Sequence, residues 1–397
     1  MLAERMFHER TGGPMTFALT SEQKLLRDSV RKLHEKHAPR DYIRRLEREN
    51  AYPYELYRAW VDAGLFGVAF PEKYGGSGGS LLDLAIVVHE IAYNSIDFQM
   101  SFGGCVFCGL NILRKGSEEQ KEYWLPKLIN GERRMSISIS EPGAGSDVGA
   151  ISARAIRDGD AFVVNGQKLW NTGAGARDLT LNVYLKTDPA VHYRKGMSLF
   201  LIDNDSPGVS FNKLDMLGRR CTGTYEVFFR DVRVDASRII GGENNGWDCL
   251  LSGLQVERIV SAAGNCGAAQ AVIDLTSAYA KERKQFGRPI GSNQAIAHML
   301  ADMQTETAAA HALTWQAAST IAAGEDAFNE ITMAKLKASE TYVSVANMGM
   351  QIFGGFGYSK EFDIERHYRD ARPSTIAAGT SQIQRNLIAG MMGHKVQ

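Results

Sequence analysis

Net charge, long apolar runs and a paired cysteine framework are all missing from this 397-residue chain. Lys+Arg and Asp+Glu both number 45, so the formal net charge is zero. That balance gives no electrostatic reason to expect nucleic acid or an anionic membrane as partner, although a small basic pocket remains compatible with it. No run approaches the ~18–20 apolar residues of a membrane span, and none is expected. The five cysteines, Cys105, Cys108, Cys221, Cys249 and Cys266, are odd in number and scattered. Reduced thiols in a cytoplasmic setting follow. Cys105-Val-Phe-Cys108 has C-x-x-C spacing but no second pair or neighbouring histidine, and reads as packing thiols in an apolar helix. The opening "MLAERMFHERTGGPM" mixes charges of both signs and has no apolar core, so it does not read as a secretory signal. A short disordered lead-in is expected there, with Met15 as an alternative start.

Several catalytic signatures are also absent. No G-x-G-x-x-G sits between a strand and a helix, and no G-x-x-x-x-G-K-[ST] occurs, which argues against Rossmann and P-loop sites despite 40 glycines. The scattered histidines form no H-E-x-x-H, and no zinc or other metal site is expected. No G-x-S-x-G nucleophile elbow is present.

What is there falls into three zones, on a chain long enough for two or three domains. From about Phe17 to Arg133 the pattern is helical. Thr20-Ser-Glu-Gln23 resembles a capping box, with Leu25, Leu26, Val30 and Leu33 following at helical spacing. "EKYGGSGGS" reads as a flexible loop before a helix from Leu81 to Tyr93. From Met135 to about Ile240 the period falls to two, in "MSISIS", "AFVVNGQKLW", "LTLNVYLKT", "SLFLID" and "TYEVFFRDVRV". Asn165-Gly166 predicts a hairpin turn between "AFVV" and "QKLW". After "GGENNGWD" long helices return, with a stripe of Ile296, Leu300 and Met303 and an Ala/Met/Val-rich run from Glu330 to Met350.

Four stretches carry the chemical information. "SISEPGAGSD" from Ser138 runs a strand into a glycine-rich turn that offers N–H groups and hydroxyls to a ligand. "KLWNTGA" from Lys168 puts a tryptophan and a threonine at a strand end. "RKQFGR" from Arg283 is read as a basic, aromatic helix end. "QIFGGFGY" from Gln351 leads into "ERHYRDARPSTIAAGTSQIQ". Each alone has a plain structural reading. In this order, on an α–β–α frame, they resemble the acyl-CoA dehydrogenase family of flavoproteins over nearly the whole chain.

That resemblance implies an α+β fold with an N-terminal α-helical domain (17–134), a middle antiparallel β-domain (135–243) and a C-terminal four-helix bundle (244–394). It also implies FAD. Ser140 is similar to the residue that hydrogen-bonds the flavin's pyrimidine edge. Trp170 would pack beside the isoalloxazine, and Thr172 would bond near N5. Arg283 and Phe286 would reach the FAD of a neighbouring subunit, and Gln351 and Gly355 its adenine-side half. Thr380 and Gln382 would lie nearer the ribityl and diphosphate. Ser146 and Arg258 match positions on the CoA side. Expected partners are an acyl-CoA, an electron-transferring flavoprotein and further copies of the chain in a homotetramer.

Family chemistry removes a proton from Cα of an acyl-CoA while hydride leaves Cβ for flavin N5. It needs a carboxylate at Cα and hydrogen bonds to the thioester carbonyl. In most members the carboxylate immediately precedes Gly-Thr, where this chain has Ala378. Alanine accepts no proton, although the Ala378 backbone N–H can still serve the thioester carbonyl. A minority, including the isovaleryl- and long-chain types, place the glutamate on the first long C-terminal-domain helix before an arginine. "QVERI" here makes Glu257 the expected base, among Leu250, Leu251, Leu254, Val256, Ile259 and Val260. Asp97 is the rival, and Glu361 and Asp363 are weaker candidates. Ala377 and Ala378 leave room for a branched or cyclic acyl group. A flavin oxidase or monooxygenase, an enoyl-CoA reductase, and a non-catalytic acyl-CoA-binding relative are the competing readings.

Overall fold

The computed structural model describes residues 19–394; Phe17 and the lead-in with Met15 lie outside them. The described residues pack into two compact units. One comprises residues 31–84 and 97–260, the other residues 19–30, 85–96 and 261–394.

The first unit holds most of the early helices and all of the large sheet. Helices α1 (Ser21–His37), α2 (Arg40–Glu49), α3 (Tyr54–Asp62), α4 (Leu81–Asn94), α5 (Ile96–Lys115) and α6 (Glu118–Ile129) precede it in the chain. By length and composition α5 could cross a membrane, a property not apparent from runs of consecutive apolar residues. Yet 83% of its apolar window is buried inside the protein. It is a core helix, and the C-x-x-C thiols face that core: Met135 N–H donates to the Cys105 sulfur at 3.3 Å. All five cysteines are free and buried. The "EKYGGSGGS" segment differs from the flexible loop expected. Gly76, Ser77, Gly78 and Gly79 donate backbone hydrogen bonds to Pro71, Gly67, Phe70 and Val68. A Cβ at Gly76 would lie 2.1 Å from the Phe70 carbonyl oxygen, so its glycine serves close packing rather than mobility.

The sheet contains β1 (Arg134–Ser138), β2 (Arg154–Asp158), β3 (Ala161–Thr172), β4 (Leu179–Lys186), β5 (Met197–Asp203), β6 (Val209–Leu214), β7 (Thr224–Asp235) and β8 (Ile239–Ile240). Its order is β6-β7-β3-β2-β4-β5-β8, with β1 parallel to β4. The expected hairpin at Asn165-Gly166 does not form, because β3 runs straight through it. Gly166 has φ 142° at a register shift, and a Cβ there would come within 2.5 Å of Ala153. Asn165 instead exchanges hydrogen bonds with Asp231 on β7, at 3.0 Å each way. The same residues that favour a tight turn favour a bulge, since both need an unusual φ. Phe162, Val164, Leu181, Val183, Phe200 and Val227 are among the residues of this unit's β-core.

Helix α7 (Gly246–Glu282) is followed by β9 (Lys284–Gln285) and β10 (Arg288–Pro289), then α8 (Gln294–Ala322), α9 (Phe328–Phe353), α10 (Ile364–Ala371) and α11 (Ser381–Met391). The second unit's core draws Ala268, Val272, Met303, Tyr342, Val345 and Ile364 together. Ile296 and Leu300 pack against it as their stripe with Met303 predicts. Residues 283–288 are not a helix end but a small hairpin, with Phe286 (φ 51°) and Gly287 (φ 78°) at its tip. Both tip residues take the positive φ of a type I′ turn.

Candidate active site

The glycine-rich turn after β1 is anchored by a buried ion pair. Glu141 and Ala144 exchange backbone hydrogen bonds around Pro142-Gly143 at 2.9 and 3.0 Å. The Glu141 carboxylate accepts from Ser152 N–H (2.6 Å), Ser152 Oγ (2.7 Å), Ala153 N–H (3.0 Å) and Lys168 Nζ (2.8 Å). Lys168 is fully buried on β3 and also donates to the Ile139 carbonyl at 2.9 Å. Burial draws its ammonium down to about 8 against the opposing pull of Glu141. Burial pushes the Glu141 carboxyl up, but Lys168 and the Ser152 donors outweigh it and hold the carboxyl low.

This anchor collects three of the expected residues. The Ser140 carbonyl accepts from Leu169 N–H at 2.8 Å, which sets Ser140 beside the residue preceding Trp170. Trp170 sits at φ 65° where the β3–β7 register shifts, and its side chain is 54% exposed. A bulge that turns a large indole outward stores strain and exposes apolar surface, as ligand-facing positions do. Thr172 closes β3 opposite Thr224, and its carbonyl accepts from Ser136 Oγ at 2.6 Å. Ser138, just before this group, is fully buried with a hydroxyl that has no protein partner. An outward indole, hydroxyls and an orphaned buried hydroxyl suit the apolar ring and polar edge of a flavin. Ser146 is exposed on the same turn.

Glu257 lies half-buried on α7, between buried Val256 and Arg258. Burial, with Glu257 among the contributing charges, pushes up the Cys108 thiol and the Tyr184 phenol. Burial lowers the Arg258 guanidinium, while Glu257 opposes that shift. Asp97 is occupied differently: its carboxylate accepts from the N–H groups of Cys221 (2.7 Å) and Thr222 (3.1 Å). Thr222 Oγ1 donates to its carbonyl at 2.8 Å. Those bonds tie a loop in place. Glu361 is exposed and Asp363 half-buried at the start of α10.

In the second unit Arg283 follows α7, with its guanidinium carbon 5.0 Å from the Phe356 ring centroid. That contact sets it beside Gly355, which has open space where a Cβ would stand. Phe286 is 99% exposed at its hairpin tip, and Gln351 is exposed in the last turn of α9. Thr380 caps α11, its hydroxyl accepting from Ile383 N–H at 3.2 Å, and Gln382 is exposed in the first turn. Ala378 adopts φ 56°, and its carbonyl accepts from Gln384 Nε2 at 3.1 Å.

Sequence reasoning overlooked Glu141 and Lys168, and also Lys335 and Gln384 behind the Ala378 loop. One signal was available: a single lysine, Lys335, stands among the buried positions Ile331, Thr332, Ala338 and Ser339.

Residues 20–132, 136–232 and 244–393 match, in turn, the acyl-CoA dehydrogenase N-terminal, middle and C-terminal domains. The "Probable acyl-CoA dehydrogenase YngJ" of Bacillus subtilis is 38% identical, over 94% of this chain and 99% of its own. The caffeyl-CoA reductase-Etf complex subunit CarC of Acetobacterium woodii is 36% identical, over 94% and 98%. Mitochondrial isovaleryl-CoA dehydrogenase of Pongo abelii is 37% identical, over 93% and 88%. Among solved structures, butyryl-CoA dehydrogenase from Megasphaera elsdenii superposes with a TM-score of 0.91 at 31% identity, covering 96% of this chain and 100% of that one. The chain belongs to the acyl-CoA dehydrogenase family: it is an oxidoreductase with that family's helical, β and helical domains, and membership implies FAD as its cofactor.

Proposed function

We propose that the chain oxidises an acyl-CoA thioester between Cα and Cβ, with Glu257 taking the α-proton. The observation that carries this reading is the carboxylate of Glu257, half-buried on α7 beside buried Arg258, in a chain whose Gly-Thr loop has Ala378 where a base would otherwise stand. Partial burial suits a carboxylate that must be ionised to accept a proton yet basic enough to hold it. FAD supplies the acceptor for the β-hydride. Ser140, Trp170 and Thr172 would hold its flavin end, Thr380 and Gln382 its ribityl and diphosphate, and Arg283, Phe286, Gln351 and Gly355 would serve the cofactor of a second copy. Full exposure of Phe286 supports that intersubunit role and a homotetramer.

Arg258 and Ser146 are assigned to the CoA side, and the Ala378 N–H to the thioester carbonyl. The paired small side chains of Ala377 and Ala378 favour a branched or cyclic acyl group, consistent with likeness to isovaleryl-CoA dehydrogenase. The segments 17–134, 135–243 and 244–394 are proposed as the domains, and five buried free thiols favour a cytoplasmic setting. Electron-transferring flavoprotein is the proposed acceptor, and CarC of the caffeyl-CoA reductase-Etf complex gives the reductive direction a specific relative. Anaerobic mixing of the FAD-loaded protein with branched, cyclic and straight acyl-CoAs tests the reaction class. Flavin bleaching by at least one thioester is expected. Bleaching by none of them, or rapid oxygen consumption without CoA, would contradict the assignment.

A further inference from the structure

The loop Ser374–Thr380 is held from behind by two fully buried side chains on different helices. Lys335, from α9, donates from Nζ to the Gly379 carbonyl at 2.7 Å and the Ser374 carbonyl at 3.2 Å. Gln384, from α11, donates from Nε2 to the Ala378 carbonyl at 3.1 Å and the Gly379 carbonyl at 3.2 Å. Ala377 N–H donates to the Pro373 carbonyl at 2.9 Å. The chain is therefore tied directly after Ala378, through its carbonyl, and one peptide before it, through the Ala377 N–H. Here Ala378 and Gly379 take consecutive positive φ values, 56° and 83°. A non-glycine residue is sterically disfavoured in that region, so the conformation needs external support. Gly379 is fitted to this support: a Cβ there would meet Gln384 Nε2 at 2.6 Å.

Burying an ammonium costs several kcal/mol in desolvation, and an apolar side chain of similar volume is often as stabilising. Directing Lys335 at backbone carbonyls is thus a costly way to hold a loop for stability alone. We propose that Lys335 and Gln384 are positioning residues that preset the Ala378 N–H as a donor to the substrate's thioester carbonyl; this rests on the role given to Ala378 above. A donor fixed before charge develops needs no reorganisation when the α-proton leaves, and one such donor is worth about 10²–10³ in rate.

The test uses FAD-loaded Glu257→Gln protein, in which the thioester persists, and isovaleryl-CoA carrying 13C at the thioester carbonyl. Infrared difference spectra read the polarisation of that carbonyl. In Glu257→Gln itself, a downshift of the bound carbonyl relative to free thioester is expected. Adding Lys335→Met or Gln384→Leu is expected to remove at least half of that shift while the dissociation constant changes less than about tenfold, because a single hydrogen bond adds only modestly to ground-state affinity. In the Glu257 background, flavin bleaching is expected to slow about 10²-fold for Lys335→Met. Gln384→Leu keeps the experiment decisive if Lys335→Met does not fold. A full downshift retained in the clamp variants, even with lowered melting temperature, overturns the positioning role. No downshift in Glu257→Gln itself removes the thioester role of Ala378 instead, and the clamp's purpose with it.

Discussion

Lys168 is the residue whose loss should most damage the turn after β1, the one proposed to face the flavin. It is buried against Glu141, and that carboxylate also holds Ser152 and Ala153. Removing one member of a buried pair leaves an uncompensated charge, at a cost of about 3–5 kcal/mol. Lys168→Met should therefore lower unfolding stability by about that amount in urea titration and weaken FAD retention on gel filtration. A variant of native stability and FAD content would contradict this. The pair was hidden in the sequence because Glu141 lies in a turn and Lys168 on a strand 27 positions on. Glu257 was proposed from the sequence through the family resemblance, because an arginine follows it within an apolar run. The outward turn of Trp170 was not, since alternation along β3 gives no warning of a bulge.

At the scale of elements, local chemistry was read well where it is self-contained. Thr20 and Gln23 form the capping box expected, exchanging hydrogen bonds of 3.2 Å each way. Thr20→Ala should cost about 1 kcal/mol, visible as faster amide exchange in the first turn of α1. Periodicity located β1, β3, β4, β5, β7 and the long helices, but β2 and β6 escaped it. Their burial patterns are mostly exposed, so little apolar alternation marks them. Close helix approach was equally invisible. A Cβ at Gly267 on α7 would lie 2.1 Å from the His89 carbonyl oxygen of α4. Gly267→Ala should thus destabilise by about 1–3 kcal/mol through overpacking, despite alanine's better helix propensity. A rise in melting temperature would refute that contact.

Across the whole molecule, acid sensitivity should follow from two buried histidines. Burial, reinforced by Arg366 and opposed by Asp363, draws His367 down to about 3. Burial, reinforced by His89 and opposed by Glu90, takes His311 well below its usual range. Both folded values lie beneath the unfolded value of roughly 6.5, so the unfolded chain binds these protons first. Stability is therefore intact above about pH 6.5 and falls as pH drops from there, by about 1.4 kcal/mol per pH unit down to about 3 for His367 and in the same direction for His311. Melting temperatures should decline over that window, and His367→Phe should make the decline shallower. The central claim remains that the proton acceptor missing at Ala378 is supplied by Glu257. Stopped-flow mixing under anaerobic conditions compares native and Glu257→Gln protein, each FAD-loaded, with the acyl-CoA that bleaches the native flavin fastest. The account predicts that Glu257→Gln binds the thioester and bleaches about 10²–10⁴-fold more slowly; bleaching at the native rate would contradict it.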